Sequence, residues 1–217
     1  MKKTMYSLML SKNIIDEIDR LACLKNTNRS NLINHIIAEH LSLYTPEMHI
    51  KEVFELITES MRGMNRFVIQ ELSSDSMLFI KSSLDYKYKP TVKYTLELHK
   101  SMDVCMGSLK IQFRTQSEIL TGHLDTFFRF WIYLEKKHIH AKFDKTAISY
   151  KVNPNCFERD LMMPEGKCEN EVVSEAISHY IGMYDHILKL YLRNPEMTLV
   201  ELEQFYVDKL NNSVLFI

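Results

Sequence analysis

The chain has 217 residues, 46% of them apolar, and its acidic and basic residues nearly cancel to a formal charge of −1. That length allows one or two domains, the second with a core of its own. The near-neutral balance does not suggest a nucleic-acid binder, and five glycines leave no glycine-rich phosphate loop.

The first forty-odd residues carry the clearest pattern. Tyr6, Leu8 and Leu10 alternate with Met5, Ser7 and Met9, which predicts a half-buried strand over Thr4–Leu10. Ser11 is placed to cap a helix whose apolar positions are Ile14, Ile15, Ile18, Leu21 and Ala22. Lys25-Asn26-Thr27 breaks it. Asn28 is placed to cap a second helix, with Leu32, Ile33, Ile36, Ile37 and Leu41 on its apolar face. One strand and two helices cannot satisfy their backbone groups or bury much surface alone. The simplest remedy is a second copy whose strand pairs antiparallel with the first.

That arrangement resembles the ribbon-helix-helix DNA-binding family of the Arc, MetJ and CopG type, whose members read DNA with strands. The resemblance rests on the alternating strand ending at Leu10, on Ser11, and on Asn28-Arg29-Ser30 before Leu32-Ile33. It implies a βαα dimer whose shared core holds Tyr6, Leu8, Leu10, Ile14, Ile18, Leu32 and Ile36. It further implies that Met5, Ser7 and Met9 face the major groove as base contacts. Family members ordinarily carry Arg, Lys, Asn or Gln on that face; here it is Met, Ser, Met. The second helix starts with unused backbone N–H groups and the positive end of its dipole, which suit a DNA phosphate. Asn28, Arg29 and Ser30 lie there, and Lys2 and Lys3 form an arm that could reach phosphates as well. Asn28 also has the simpler role of a cap. Residues 1–44 hold six Lys/Arg against four Asp/Glu, a charge of +2, so the remainder carries −3.

Thr45-Pro46 ends the second helix, so residues 1–45 are expected to form the DNA-binding and dimerisation domain and residues 46–217 an α+β sensor or protein-interaction domain. Helical spacing of Ile50, Val53, Phe54, Ile57 and Met61 predicts a helix of about 48–63. Phe67, Ile69 and Met77–Ile80 read as strand material around Ser73–Ser76. Val92–Leu98 and Leu109–Phe113 alternate as two strands of an antiparallel hairpin. Leu120, Leu124, Phe127, Trp131 and Leu134 predict a helix of about 117–137, in preference to a buried strand at Phe127–Leu134. Ala147–Val152 and Phe157–Met163 read as a hairpin around Asn153-Pro154-Asn155. A helix opening at Glu169 or Asn170 and a last helix through Leu199–Leu210 complete the chain. The expected class is α+β with an antiparallel sheet in the order α-βββ-α-ββ-α plus a C-terminal helix. That order is similar to the secretion-chaperone-like fold, whose members often dimerise and bind peptides or proteins.

Little else suggests chemistry. The cysteines at 23, 105, 156 and 168 form no CxxC pair, and no secretory signal is visible, so a reducing cytoplasm is expected. The most apolar run, Phe127–Leu134, contains Arg129 and is too short to span a bilayer. His138 and His140 form an HxH pair without a neighbouring ligand set, and solvent-facing histidines are expected there rather than a metal. The aromatics Phe127, Phe128, Phe130, Trp131 and Tyr133 are expected in the core, or as the wall of a pocket. No Ser/His/Asp order or HExxH motif supports an enzyme, and no cofactor is expected. The expected function is that of a dimeric, sequence-specific transcriptional regulator on double-stranded DNA, with a protein or small-molecule effector at the second domain. Two alternatives are an accessory DNA-binding protein of plasmid partition or conjugation, and an antitoxin-like interaction module in which the head only dimerises.

Overall fold

The structure is a computed structural model. It describes residues 5–25, 27–41, 43–74, 76–86, 89–101, 104–143, 148–163, 169–211 and 217, with the backbone alone at 71–74. Two compact units divide the chain, Met1–His49 and Ile50–Ile217.

The first unit holds α1 (Lys12–Leu24) and α2 (Arg29–His40). Ser11 stands at the N-cap of α1 without a side-chain capping bond. Asn28 caps α2, its side-chain oxygen accepting the Asn31 N–H at 2.9 Å, as its residue type predicts. Ile18 and Ala22 of α1 pack with Leu32 of α2, and Leu10, Leu21 and Ile33 close the edges of this small cluster. The strand expected over Thr4–Leu10 is not formed: Met5–Leu10 has no regular secondary structure, and Thr4 lies outside the described residues. The physical reason is plain, since one strand in one chain has no neighbour to receive its backbone groups. α2 ends at His40 with its C-cap at Leu41, before the Thr45-Pro46 expected to end it; Thr45 serves the next helix instead. Its hydroxyl accepts the Met48 N–H at 3.2 Å and opens α3 (Pro46–Arg62), with Pro46 at the first helical position, where no N–H is needed.

The second unit is a six-stranded antiparallel sheet with helices. Its strands are β1 (Val68–Ser74), β2 (Met77–Ser83), β3 (Thr91–Leu98), β4 (Cys105–Phe113), β5 (Tyr150–Asn153) and β6 (Cys156–Met162), laid side by side as β1-β2-β3-β4-β6-β5. Four strands therefore follow α3 where three were expected. Val68–Ser74 and Met77–Ser83 pair antiparallel with each other as two separate strands. The order on which the secretion-chaperone likeness rested is departed from by that extra strand. Elsewhere the period-two pattern holds. Val92, Tyr94, Leu96 and Leu98 are buried, while Lys93, Thr95 and Glu97 between them are half-buried on the other face. Asn155 takes a left-handed φ of 57° in the β5–β6 turn, which Asn tolerates.

The helices α4 (Glu118–His138), α5 (Asn170–Arg193) and α6 (Leu199–Leu210) complete this unit. Phe127–Leu134 is helical, as preferred, and its Phe127, Phe128, Trp131 and Leu134 are buried. α5 is buried on most of its circumference, from Val173 to Leu192. Its Tyr184 meets Tyr94 of β3 edge to face, stacks near Phe157 of β6 and touches Trp131 of α4. Trp131 in turn meets Tyr206 of α6. These ring contacts join the three helices to the inner face of the sheet.

Gly107 lies in β4, paired with Leu98 of the antiparallel neighbour β3. A Cβ there would sit 2.0 Å from the carbonyl oxygen of Glu97 and 3.0 Å from the Cα of Leu98. Backbone cannot yield as a side chain can, so Gly107→Ala should destabilise this unit by roughly 3 kcal/mol or more. The expected drop in melting temperature is about 6–12 °C by calorimetry, and an unchanged melting temperature would contradict the register at this pairing.

Candidate functional site

In the first unit, Ile18 and Leu32 are buried and Leu10 is half-buried, but four other residues expected in a shared core are not. Tyr6, Leu8, Ile14 and Ile36 are 88, 55, 49 and 44% exposed. Met5, Ser7 and Met9 are exposed too. Both faces of the alternating segment are thus open in the single chain. Asn28, Arg29 and Ser30 are exposed at the start of α2, while Lys2 and Lys3 lie outside the described residues.

Arg29 is engaged in a way the linear order did not reveal. Its Nε donates to Asp19 Oδ1 at 2.7 Å and its Nη2 to Oδ2, a two-pronged pair between α1 and α2. That bond holds the Asp19 carboxyl below its ordinary pKa. Arg20 pairs in the same fashion with Glu17, at 2.9 and 2.5 Å. Both arginines of the head therefore already face carboxylates.

In the second unit, two buried polar clusters sit where the pattern suggested only core. The first surrounds Glu135 of α4 and Arg159 of β6, both fully buried, with Arg159 Nε 3.5 Å from Glu135 Oε2. Trp131 Nε1 and the Tyr180 hydroxyl both donate to Glu135 Oε1, at 2.9 and 2.6 Å. The Arg159 guanidinium lies 4.5 Å from the Tyr180 ring centre and donates to the backbone oxygen of Ile217. Around it the hydroxyls of Tyr150, Tyr184 and Tyr206 lack a partner among the described residues. Burial pushes the Tyr180 hydroxyl well above its ordinary pKa.

The second cluster centres on Asp185 of α5, also fully buried. The Tyr94 hydroxyl donates to its Oδ1 at 2.9 Å, and Lys189, one turn on, donates to Oδ2 at 2.8 Å. Lys189 also donates to the Ser82 hydroxyl of β2. Arg66, between α3 and β1, places Nε 3.8 Å from the same Asp185 oxygen and donates to the Gly182 carbonyl at 3.3 Å. Burial, and then the charge of Asp185, push the Tyr94 hydroxyl well above its ordinary range. Next to this cluster a cavity of about 380 Å³ opens, lined by Arg66, Ser83, Asp85, His186, Lys189 and Arg193, with Leu190 as an apolar wall. Asp85 pairs with Arg193 at 2.6 Å across its rim, and that bond lowers the Asp85 pKa. Burial lowers the pKa of His186.

The aromatic run expected as a pocket wall does not line this cavity. Phe127, Phe128 and Trp131 are core, and Tyr133 is exposed. His138 bonds Glu203 of α6, with Nε2 at 2.5 Å from Oε1, and His140 stands in the short 3-10 turn His140–Lys142. Arg159 was legible as an inward residue, between Phe157 and Leu161. Its partner Glu135 was not, nor was the convergence of Arg66, Ser82, Tyr94 and Asp185. No helix among the described residues is long and apolar enough to cross a membrane. No family model, curated protein or solved structure matches the chain.

Two outcomes follow from these pairs. Arg159→Met alone leaves the Glu135 charge buried and should cost roughly 3–5 kcal/mol in urea unfolding, whereas adding Glu135→Leu should recover most of it. Equal losses for the single and double variants would show that the charges are not coupled. For Asp19, a folded pKa below the ordinary 3.8 means the Arg29 bond stabilises above that pH and is lost as pH falls through the lowered value. Asp19→Asn should therefore weaken the head at neutral pH and make no difference in strong acid, as followed by circular dichroism.

Proposed function

We propose that the chain is a dimeric, sequence-specific DNA-binding transcriptional regulator of cytoplasmic, ribbon-helix-helix character. In this reading two copies pair through Met5–Leu10, and the second unit binds an effector or a protein partner. One observation carries the proposal: an alternating segment, open at Met5–Met9 and half-buried only at Leu10, beside two helices whose own core is Ile18, Ala22 and Leu32. Pairing that segment with its copy would satisfy its backbone and cover Tyr6, Leu8, Ile14 and Ile36. Met5, Ser7 and Met9 would then face the major groove, with Ser7 able to hydrogen bond a base edge and the methionines packing on thymine methyl groups. The first turn of α2, with Asn28, Arg29 and Ser30, would sit on phosphates, with Lys2 and Lys3 nearby.

A second reading keeps the dimer and drops the DNA. It is favoured by the pairing of Arg20 with Glu17 and Arg29 with Asp19, and by an outward face of Met and Ser. The head would then be a dimerisation module, as in an antitoxin. Within the first reading, a plasmid partition or conjugation role differs from a promoter role only in where the protein is found on DNA, which footprinting decides.

Two measurements on the full chain test the proposal. Leu8→Asp places a charge in the shared core and should turn a dimer into a monomer with an unfolded head; a variant that still sediments as a folded dimer contradicts the pairing. Selection from a random duplex pool should return a motif of modest information, because Met offers no strong donor. Met9→Arg should add a preference for guanine at one position, and Arg29→Ala should lower the salt slope of binding by about one per protomer. Identical motifs for wild type, Met9→Arg and Ser7→Ala would remove the ribbon as a reading surface, and no binding at low salt would leave the dimerisation module.

A further inference from the structure

We propose that the cavity between α5 and the end of β2 binds a small molecule through a phosphate or carboxylate group. The proposal concerns the second unit alone and does not depend on whether the head binds DNA.

Charge at the cavity is not balanced by its own residues. Arg66, Lys189 and Arg193 bring three positive charges, and Asp85 and Asp185 bring two negative ones. The two carboxylates differ in kind. Asp185 is buried and engaged by Tyr94 and Lys189 at hydrogen-bond distance, so it belongs to the framework. Arg66 stands 3.8 Å from it, beyond a hydrogen bond, with two-fifths of its side chain exposed. Its planar fork is suited to an oxyanion.

Asp85 is the opposite case. It and Arg193 are both mostly exposed, at 65 and 62%, and surface pairs of this type contribute little to stability. Asp85 therefore acts as an exchangeable stand-in for the ligand's anionic group on Arg193. An entering oxyanion takes over that guanidinium, meets Arg66 at the inner side, and rests near the Ser83 hydroxyl. Leu190 offers an apolar contact for the rest of the molecule. A volume of about 380 Å³ is in the range of small-molecule sites, and its concave form, walled by helix and strand, suits a metabolite-sized ligand better than a duplex.

The test is calorimetric titration of the full chain with inorganic phosphate and, separately, with succinate, at constant ionic strength set with chloride. One saturable site per chain is expected with at least one probe, and the tighter probe tells phosphate from carboxylate. Arg193→Ala should weaken that binding about tenfold, the loss of one charge-assisted contact. Asp85→Asn should tighten it, because the competing carboxylate is gone. Both positions are exposed, so folding is not at stake. Arg129→Ala, which loses an exposed pair with Asp125 on α4, should leave binding unchanged. Absence of saturable binding with either probe would overturn the proposal. So would equal affinity in wild type and Arg193→Ala, or an Arg129→Ala loss as large as that of Arg193→Ala.

Discussion

A carboxylate that solvent does not reach, Asp185, fixes α5 against the middle of the sheet. A buried charge must find partners or be neutralised, and the cost of leaving it alone is several kcal/mol. Here Tyr94 approaches from β3, Lys189 from the next turn of α5, and Arg66 from the connection between α3 and β1. Moving α5 by even one residue would strand that charge. The ring contacts of Tyr184 with Tyr94, Phe127, Phe157 and Trp131 then act on a helix whose register is already set. The same constraint builds the cavity. Lys189 and Arg66 stand at its edge because Asp185 draws them there, and Arg193 follows one turn after Lys189.

Glu135 and Arg159 apply the same logic on the other side of α5. A buried ion pair is seldom more stabilising than well-packed apolar residues of like volume, although breaking one partner is severe. Its effect is geometric: Arg159 lies on the Tyr180 ring and Glu135 gathers Trp131 and Tyr180. So α4, α5 and β6 meet in one arrangement, where apolar surfaces alone would tolerate sliding. The hydroxyls of Tyr150, Tyr184 and Tyr206 around it, unpartnered among the described residues, mark a core that is polar at its centre.

The head is limited by the opposite shortage. Its buried cluster of Ile18, Ala22 and Leu32 is small for a unit of that length, and small domains are marginal without a further source of burial. The Arg29–Asp19 pair ties its two helices, but both side chains are about half exposed, so it orients more than it stabilises. Tyr6, Leu8, Ile14, Ile36 and Ile37 stay exposed in the single chain, apolar surface that the head does not bury by itself.

Local periodicity sufficed wherever neighbours in sequence decide the outcome. The helices α1 and α2, the Asn28 cap, the α4 helix through Phe127–Leu134 and the alternating strands β3 and β4 were all legible, because caps and 3.6- or 2-residue spacing act within a few residues. The separation of β1 from β2 was hidden in a short polar stretch that reads equally as turn or strand. Met5–Leu10 shows the limit of periodicity: the pattern of a strand is present, but a strand exists only once another backbone lies beside it. The pairs Arg29–Asp19, Glu135–Arg159 and Tyr94–Asp185 span 10, 24 and 91 positions. The cavity likewise gathers Arg66 and Lys189, far apart in sequence, into one lining. The sequence by itself determined which segments are helix and which faces are apolar. Only the tertiary structure decided which charges meet, because a charge has no period and its partner is chosen by the fold that brings distant segments within a few ångströms.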